Sequence, residues 1–292
     1  MLFVFLSVCC SVIVSVLLKV ARRYGIDVFQ AITWNYAMAI LLTWFFFKPD
    51  VKAFDIQQAP VGVYVGVGIL LPLIFWIMAA SVRVAGIVRT DVAQRLSLFI
   101  SLFAAFLLFG DNFSLARLGC FVVGFAAILC SIPWQKRTAN RTVLSNAWVY
   151  LICVFIGFGA IDILFKKVAA FTAVPYTTSL FFIYAISFTI AFVSLLVKVF
   201  TKQSRIRWPH VTFGLVLGVA NFGNILFYLK AHKALSSSPS LVFSAMNIGV
   251  ITLGAIVGLI VFNERLSKLN KIGLGLAIIS IIMITMVNIL HW

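Results

Sequence analysis

Apolar residues run along this chain in long blocks separated by short polar links, and most blocks are apolar on every side rather than along one stripe. A helix of that kind is buried in a large core or spans a membrane. At about 20 residues per crossing, the blocks predict ten spans, about 2–21, 28–47, 58–82, 87–110, 115–134, 145–168, 176–199, 208–231, 238–262 and 268–290. The links are short, so successive helices are expected as antiparallel neighbours. Pro72 within the third span removes a backbone donor and is expected to bend it. Gly214 and Gly218 on the eighth span, and Gly254 and Gly258 on the ninth, form small-xxx-small pairs that predict close helix approach.

The blocks also repeat. Phe109-Gly110-Asp111-Asn112-Phe113-Ser114, just before the fifth span, recurs as Phe262-Asn263-Glu264-Arg265-Leu266-Ser267 before the tenth. Lys19-Val20-Ala21 recurs as Lys167-Val168-Ala169, and Tyr36-Ala37 recurs as Tyr184-Ala185 at the same offset. Five crossings return the chain on the opposite side, so the second half is expected upside down relative to the first. The expected fold is an all-α integral membrane protein of ten transmembrane helices in two inverted five-helix repeats, residues 1–134 and 145–292, joined by a linker at 135–144. Inverted repeats of this kind are a common architecture of secondary transporters.

Composition agrees with the pattern: 63% of residues are hydrophobic and 10% charged, where soluble domains carry about 25% charge. The formal charge of +16 is read as basic loops facing lipid headgroups, not as a nucleic-acid surface. The first block has no preceding basic residues and no small-residue cleavage pattern, so it reads as a retained helix rather than a signal peptide. The five cysteines show neither CxxC nor metal-ligand spacing. Loops between spans 1–2, 3–4, 5–6, 7–8 and 9–10 hold fourteen Lys and Arg against seven on the other side. The positive-inside rule then places both termini outside.

Polar residues inside the spans are the candidates for chemistry, because charge in hydrocarbon is costly and marks a paired or functional position. The fourth span carries Arg89, Asp91, Gln94 and Arg95. Asp91 and Arg95 are four apart and share a helix face. Arg95 either snorkels and neutralises Asp91, or faces a cavity where its guanidinium fork suits a carboxylate or phosphate. Asp162 and Lys166 on the sixth span have the same spacing, as a structural pair or as a carboxylate for a coupling proton. Asn35 and Tyr36 on the second span, Asn221 and Asn224 on the eighth and Asn247 on the ninth lie near mid-depth. Such residues serve either as interhelical hydrogen bonds or as the polar lining of a ligand site between repeats. Lys19 and Lys167 end repeat-related spans, as gate caps or headgroup anchors. The chain has no HExxH, GxSxG or Walker motif, and its three histidines sit at span ends without metal spacing. An enzyme, a metal centre and ATP-driven pumping are not expected.

The two five-helix repeats and the paired signatures resemble the EamA-type branch of the drug/metabolite transporter superfamily. Phe262-Asn263-Glu264-Arg265-Leu266-Ser267 with Gly273 resembles the turn and final helix that end each repeat in that family; Asp111 stands for Glu in the first copy. Asp91-Val92-Ala93-Gln94-Arg95-Leu96-Ser97 resembles helix 4 of bacterial members, many of which have a proline where this chain reads Ile100-Ser101. The resemblance implies export or exchange of small metabolites through a cavity lined by helices 1–4 and 6–9. It also implies cytoplasmic termini, against the charge count.

The sequence therefore predicts a multi-pass carrier of the inner membrane working by alternating access on an amino acid, organic anion or similar solute. Arg95, Gln94, Asn35, Tyr36, Asn221, Asn224 and Asn247 are expected at the substrate. Asp91, Asp162 and Lys166 are expected as coupling or charge-pair residues, and Lys19 and Lys167 at gates or anchors. No cofactor is expected; membrane lipids are expected partners of a monomer or homodimer. The alternatives are a membrane scaffold or lipid-handling protein, and a broad drug exporter.

Overall fold

A computed structural model of the protein describes residues 1–49, 59–85, 87–110, 114–131, 147–261 and 268–289. Among these residues there are eleven helices: α1 (Leu2–Arg23), α2 (Val28–Phe47), α3 (Val61–Val84), α4 (Ile87–Leu96), α5 (Leu98–Phe109), α6 (Leu115–Ser131), α7 (Ala147–Ala170), α8 (Tyr176–Phe200), α9 (Trp208–Ala234), α10 (Pro239–Val261) and α11 (Lys268–Ile289). Nine follow the predicted spans to within a few residues. The linker 135–144, the Asp111–Phe113 part of the first signature and the whole second signature lie outside the described residues.

Proline places several starts. Pro60 precedes α3, Pro175 precedes α8, Pro209 lies in the first turn of α9 and Pro239 begins α10. A proline there lacks only a donor that the first turn leaves unused in any case. Pro72 stands inside α3, which runs through it without interruption. Gly110 ends α5 in the left-handed conformation, φ 64°, a region open to glycine at little cost.

The predicted fourth span is the exception. It is divided into α4 and α5 at Ser97, whose N–H donates to the Gln94 carbonyl oxygen three residues back, at 3.3 Å. The Ser97 hydroxyl donates to the same oxygen. A side-chain donor competing for a helical carbonyl is a known cause of local tightening and breaks. The proline absent at 100–101 is therefore not needed to interrupt this segment.

Seven of these helices are long and apolar enough to cross a membrane: α1 (Leu2–Ala21), α2, α3, α7, α8, α9 and α10; shorter apolar stretches cover Ala93–Phe109, Leu118–Ala127 and Lys271–Ser280. Large apolar side chains face outward along them. At helix ends, Phe45 and Phe46 of α2, Trp148 of α7, Phe200 of α8 and Trp208 of α9 are exposed, as in the aromatic belts of membrane proteins. The chain is an all-α, multi-pass membrane protein.

Its helices gather into two compact units, each drawn from both halves of the sequence. The first holds Met1–Cys9, Ile77–Ile163 and Ala234–Trp292. In it α6 packs on α11, and α10 packs on α5, α6 and α11. Its buried core includes Cys120, Ala127, Leu241, Ile248 and Ala277. The Ser280 hydroxyl donates to the Cys120 carbonyl at 2.9 Å. The second unit holds Cys10–Trp76 and Leu164–Lys233, and in it α2 packs on α8. There Thr33 of α2 meets Ala191 of α8, and Trp44 of α2 meets Phe181. As the chain rises along α2 its contacts descend along α8, so the two helices are antiparallel.

Candidate functional site

In the second unit, α2 is held between α8 and α9. A Cβ at Gly214 would lie 2.6 Å from the Ala31 carbonyl oxygen, and one at Gly218 would lie 2.7 Å from the Asn35 carbonyl oxygen. These two glycines do what the spacing predicted: α9 touches the backbone of α2. The corresponding expectation for Gly254 is corrected, since a Cβ there would meet nothing within 4 Å. On α10 the glycine in contact is Gly249, where a Cβ would lie 2.8 Å from a Val8 methyl.

This packing buries Asn35 and Tyr36 of α2, Tyr184 of α8, and Asn221 and Phe222 of α9. Tyr36 and Tyr184 are wholly enclosed and lie within electrostatic reach of each other. The Tyr184 ring lies 6.5 Å from that of Phe222, which in turn lies 6.2 Å from Phe47. The hydroxyls of Tyr36 and Tyr184, Oδ1 of Asn35 and Nε1 of Trp34 are buried without a hydrogen-bond partner. Each such group costs about 1–3 kcal/mol when left unpaired. Native interiors contain few of them. Asn224 is half-buried on α9.

The same unit holds two polar clusters that the sequence did not reveal. At the start of α2, Asp27 caps the helix by accepting from the Phe29 N–H at 2.9 Å. Its other carboxylate oxygen accepts from Ser204 at 3.1 Å, and the Gln30 amide donates to the Ser204 hydroxyl at 2.8 Å and to the Arg205 carbonyl at 2.9 Å. Beside this cluster Lys198 lies 3.5 Å above the Phe29 ring, which stacks on Trp76 at 4.7 Å. The second cluster joins α7 to α9. Lys166 is buried there, within electrostatic reach of His232. Phe165 meets Tyr228 edge-on, and Tyr228 meets His232 at 4.6 Å. His232 occupies a helix end as expected, but the end is inside the protein. Tyr228 is one turn away on the same helix, but Phe165 and Lys166 come from more than 60 residues away in the chain, a distance no local pattern spans.

The first unit holds Asp91, Gln94, Arg95, Asp162 and Asn247, whereas Lys19 and Lys167 belong to the second. Gln94 and Arg95 are half-buried at the end of α4, and Asn247 on α10 is half-buried and donates to the Phe243 carbonyl at 3.0 Å. Within α7, Asp162 accepts from Ser101 of α5 at 2.8 Å. A Cβ at Gly159, three residues earlier, would lie 2.7 Å from Ile100, so this glycine brings α7 against α5 and Asp162 within reach. The side chain of Asp91 lies outside the described residues. The seven predicted substrate residues thus divide: Asn35, Tyr36, Asn221 and Asn224 in the second unit, Gln94, Arg95 and Asn247 in the first. Lys19 and Lys167 are exposed near the ends of α1 and α7. Among the described residues, no group of three or more His, Cys, Asp or Glu gathers as a metal site.

No family model matches the chain. An uncharacterized protein of Haemophilus influenzae (strain ATCC 51907 / DSM 11121 / KW20 / Rd) is 44% identical over 276 residues, which cover 92% of this chain and 92% of the relative. A solved crystal structure, described only as that of a protein, matches with a TM-score of 0.72 at 14% identity. The match covers 98% of this chain and 96% of that one, and shows that the two share a fold.

Proposed function

The chain belongs to one family with the Haemophilus influenzae protein, and from the arrangement of its buried polar residues we propose that it is a secondary transporter of a small metabolite. On this reading it is a ten-span carrier of the inner membrane, of the EamA type, and its two halves are inverted repeats that alternate access to a shared solute. The observation that carries the proposal is the pairing of α2 with α8. These helices occupy the same place in the two halves, they run antiparallel as inverted repeats require, and they bury Tyr36 beside its counterpart Tyr184. A bundle that served only as a scaffold gains nothing from unpaired hydroxyls in its interior. A carrier gains a site that is satisfied only when solute arrives.

The reading is transport rather than catalysis. The buried phenols and amides of α2, α8 and α9 are suited to hold a solute by hydrogen bonds. Energy for uphill movement comes from an ion gradient or from exchange, and Asp162, held by Ser101, is the acid proposed to carry a coupling proton.

The test is a ligand-binding screen of the purified protein followed by counterflow in proteoliposomes. A solute present at about 100 times its dissociation constant adds roughly 2.7 kcal/mol to the folded state, which appears as a higher unfolding midpoint. We expect one chemical class to raise the midpoint and the same class to drive counterflow of its labelled form. Binding without counterflow removes the transport reading and favours a scaffold or lipid-handling protein.

A further inference from the structure

Building on the transporter reading, we infer that the solute is a small organic anion, and that its carboxylate is held between the hydroxyls of Tyr36 and Tyr184.

The placement of the two residues comes first. Each is the ninth residue of its helix, α2 beginning at Val28 and α8 at Tyr176. At 1.5 Å per residue each lies about 12 Å from its own helix start. Because the helices are antiparallel, with Thr33 against Ala191 and Trp44 against Phe181, the two residues come from opposite ends to within about one helical turn of each other in depth, near the middle of a span about 30 Å long. They bring two O–H donors within electrostatic reach of each other, from two rigid elements, and both hydroxyls are buried and unpaired. Trp34 also carries a buried and unpaired donor, its indole N–H, but two residues before Tyr36 it lies on the opposite side of α2, against Gly214, and is not assigned to this site.

The charge of the surroundings selects the partner. Helices α2, α8 and α9 contain no Asp or Glu anywhere along their length, and their charged residues are Lys198, Lys230 and Lys233. A cationic solute between them finds no counter-charge. A carboxylate finds O–H donors, and hydrogen bonds from neutral donors to an ionised oxygen are shorter and stronger than neutral ones. Its two oxygens match the two phenols in number. Asn35 supplies an unpaired acceptor, Oδ1, on the same turn of α2, suited to a hydroxyl or N–H elsewhere on the solute. This assigns recognition to a tyrosine pair in the second unit, and makes no demand on Arg95.

The experiment compares acetate, lactate, benzoate and succinate, each with its primary amide, as stabilisers of the purified wild-type protein and of Tyr36→Phe and Tyr184→Phe. At least one carboxylate is expected to raise the unfolding midpoint while its amide does not. Each Phe variant is expected to weaken that carboxylate about tenfold or more, the loss of one hydrogen bond to a charged group. Without solute, neither variant is expected to unfold at a lower temperature than wild type, because the hydroxyl removed had no protein partner. Three results would overturn the inference: equal stabilisation by acids and amides or by none of them, unchanged affinity in both Phe variants, or a lower solute-free midpoint. Counterflow keeps the two claims apart. Carboxylate binding that depends on both tyrosines but gives no counterflow sinks transport and leaves this site standing. Counterflow of a neutral or cationic solute in the double Phe variant sinks this site and leaves transport standing.

Discussion

At Gly218, two neighbours decide what the side chain is allowed to be. A Cβ there would lie 2.6 Å from the Met38 Cβ and 2.7 Å from the Asn35 carbonyl oxygen, one of them backbone that yields only if α2 moves. Gly218→Ala is therefore expected to destabilise the protein by about 1–3 kcal/mol, the usual range for overpacking. The shift would also displace Asn35 and Tyr36. At Gly254 there is open space, and Gly254→Ala is expected to be neutral or stabilising by up to about 1 kcal/mol, since alanine is the better helix former. Unfolding midpoints of the two variants in one detergent check the pair; equal losses would mean that α9 does not lean on α2. The sequence marked both positions alike, as glycines four residues from another glycine. Only the neighbour across the gap separates them, and spacing along one helix carries no record of what faces it.

Among the helices, the divided segment α4–α5 shows how a few polar atoms overrule an apolar block. The chain from 96 to 110 is free of charge and reads as one helix, yet the Ser97 hydroxyl and N–H both turn to the Gln94 carbonyl. One turn later Ser101 reaches out of α5 to Asp162. Ser101→Ala is expected to cost about 1–3 kcal/mol by withdrawing a donor from a half-buried carboxylate, whereas Ser101→Thr keeps the hydroxyl and most of the stability. Thermal unfolding of the two variants tests this, and an equal loss in both would show that space rather than the hydrogen bond matters there. The spacing offers Asp162 as a partner for Lys166, four residues on, or as a carboxylate for a coupling proton. The Ser101 contact joins residues 61 apart, and periodicity does not reach that far.

For the whole molecule, the antiparallel run of α2 and α8 constrains the path between them. An even number of further crossings must lie between α3 and α7, so the segment α4–α5 and helix α6 cross together or neither crosses. The ten-span proposal takes the first choice. Single cysteines at Gly25, Ala59 and Ser114, in a background with the five native cysteines replaced by alanine, decide it with a membrane-impermeant thiol reagent. Ser114 is expected to label from the same side as Ala59 and opposite to Gly25; labelling with Gly25 would leave seven or eight crossings. The same experiment, in cells, shows whether the positive-inside count or the family resemblance has the orientation right.

Taken alone, the amino-acid pattern determined that the chain is helical, that it is built for lipid, and where nearly every helix begins and ends. These are local properties: the length of an apolar block matches the bilayer, and proline, glycine and charge mark its limits. It also set Tyr36 and Tyr184 at the same offset from Lys19 and Lys167, the match on which the repeat proposal rests. Only the tertiary structure decided that these two residues are buried within electrostatic reach of each other, that each compact unit is assembled from both halves, and that Lys166 and His232 are interior while Lys19 and Lys167 are not. The physical reason is that in a span apolar on every side no stripe tells the lipid face from the protein face. The choice is made by close approach at Gly214 and Gly218 and by hydrogen bonds such as Thr33 to Ala191, between residues that the sequence keeps far apart.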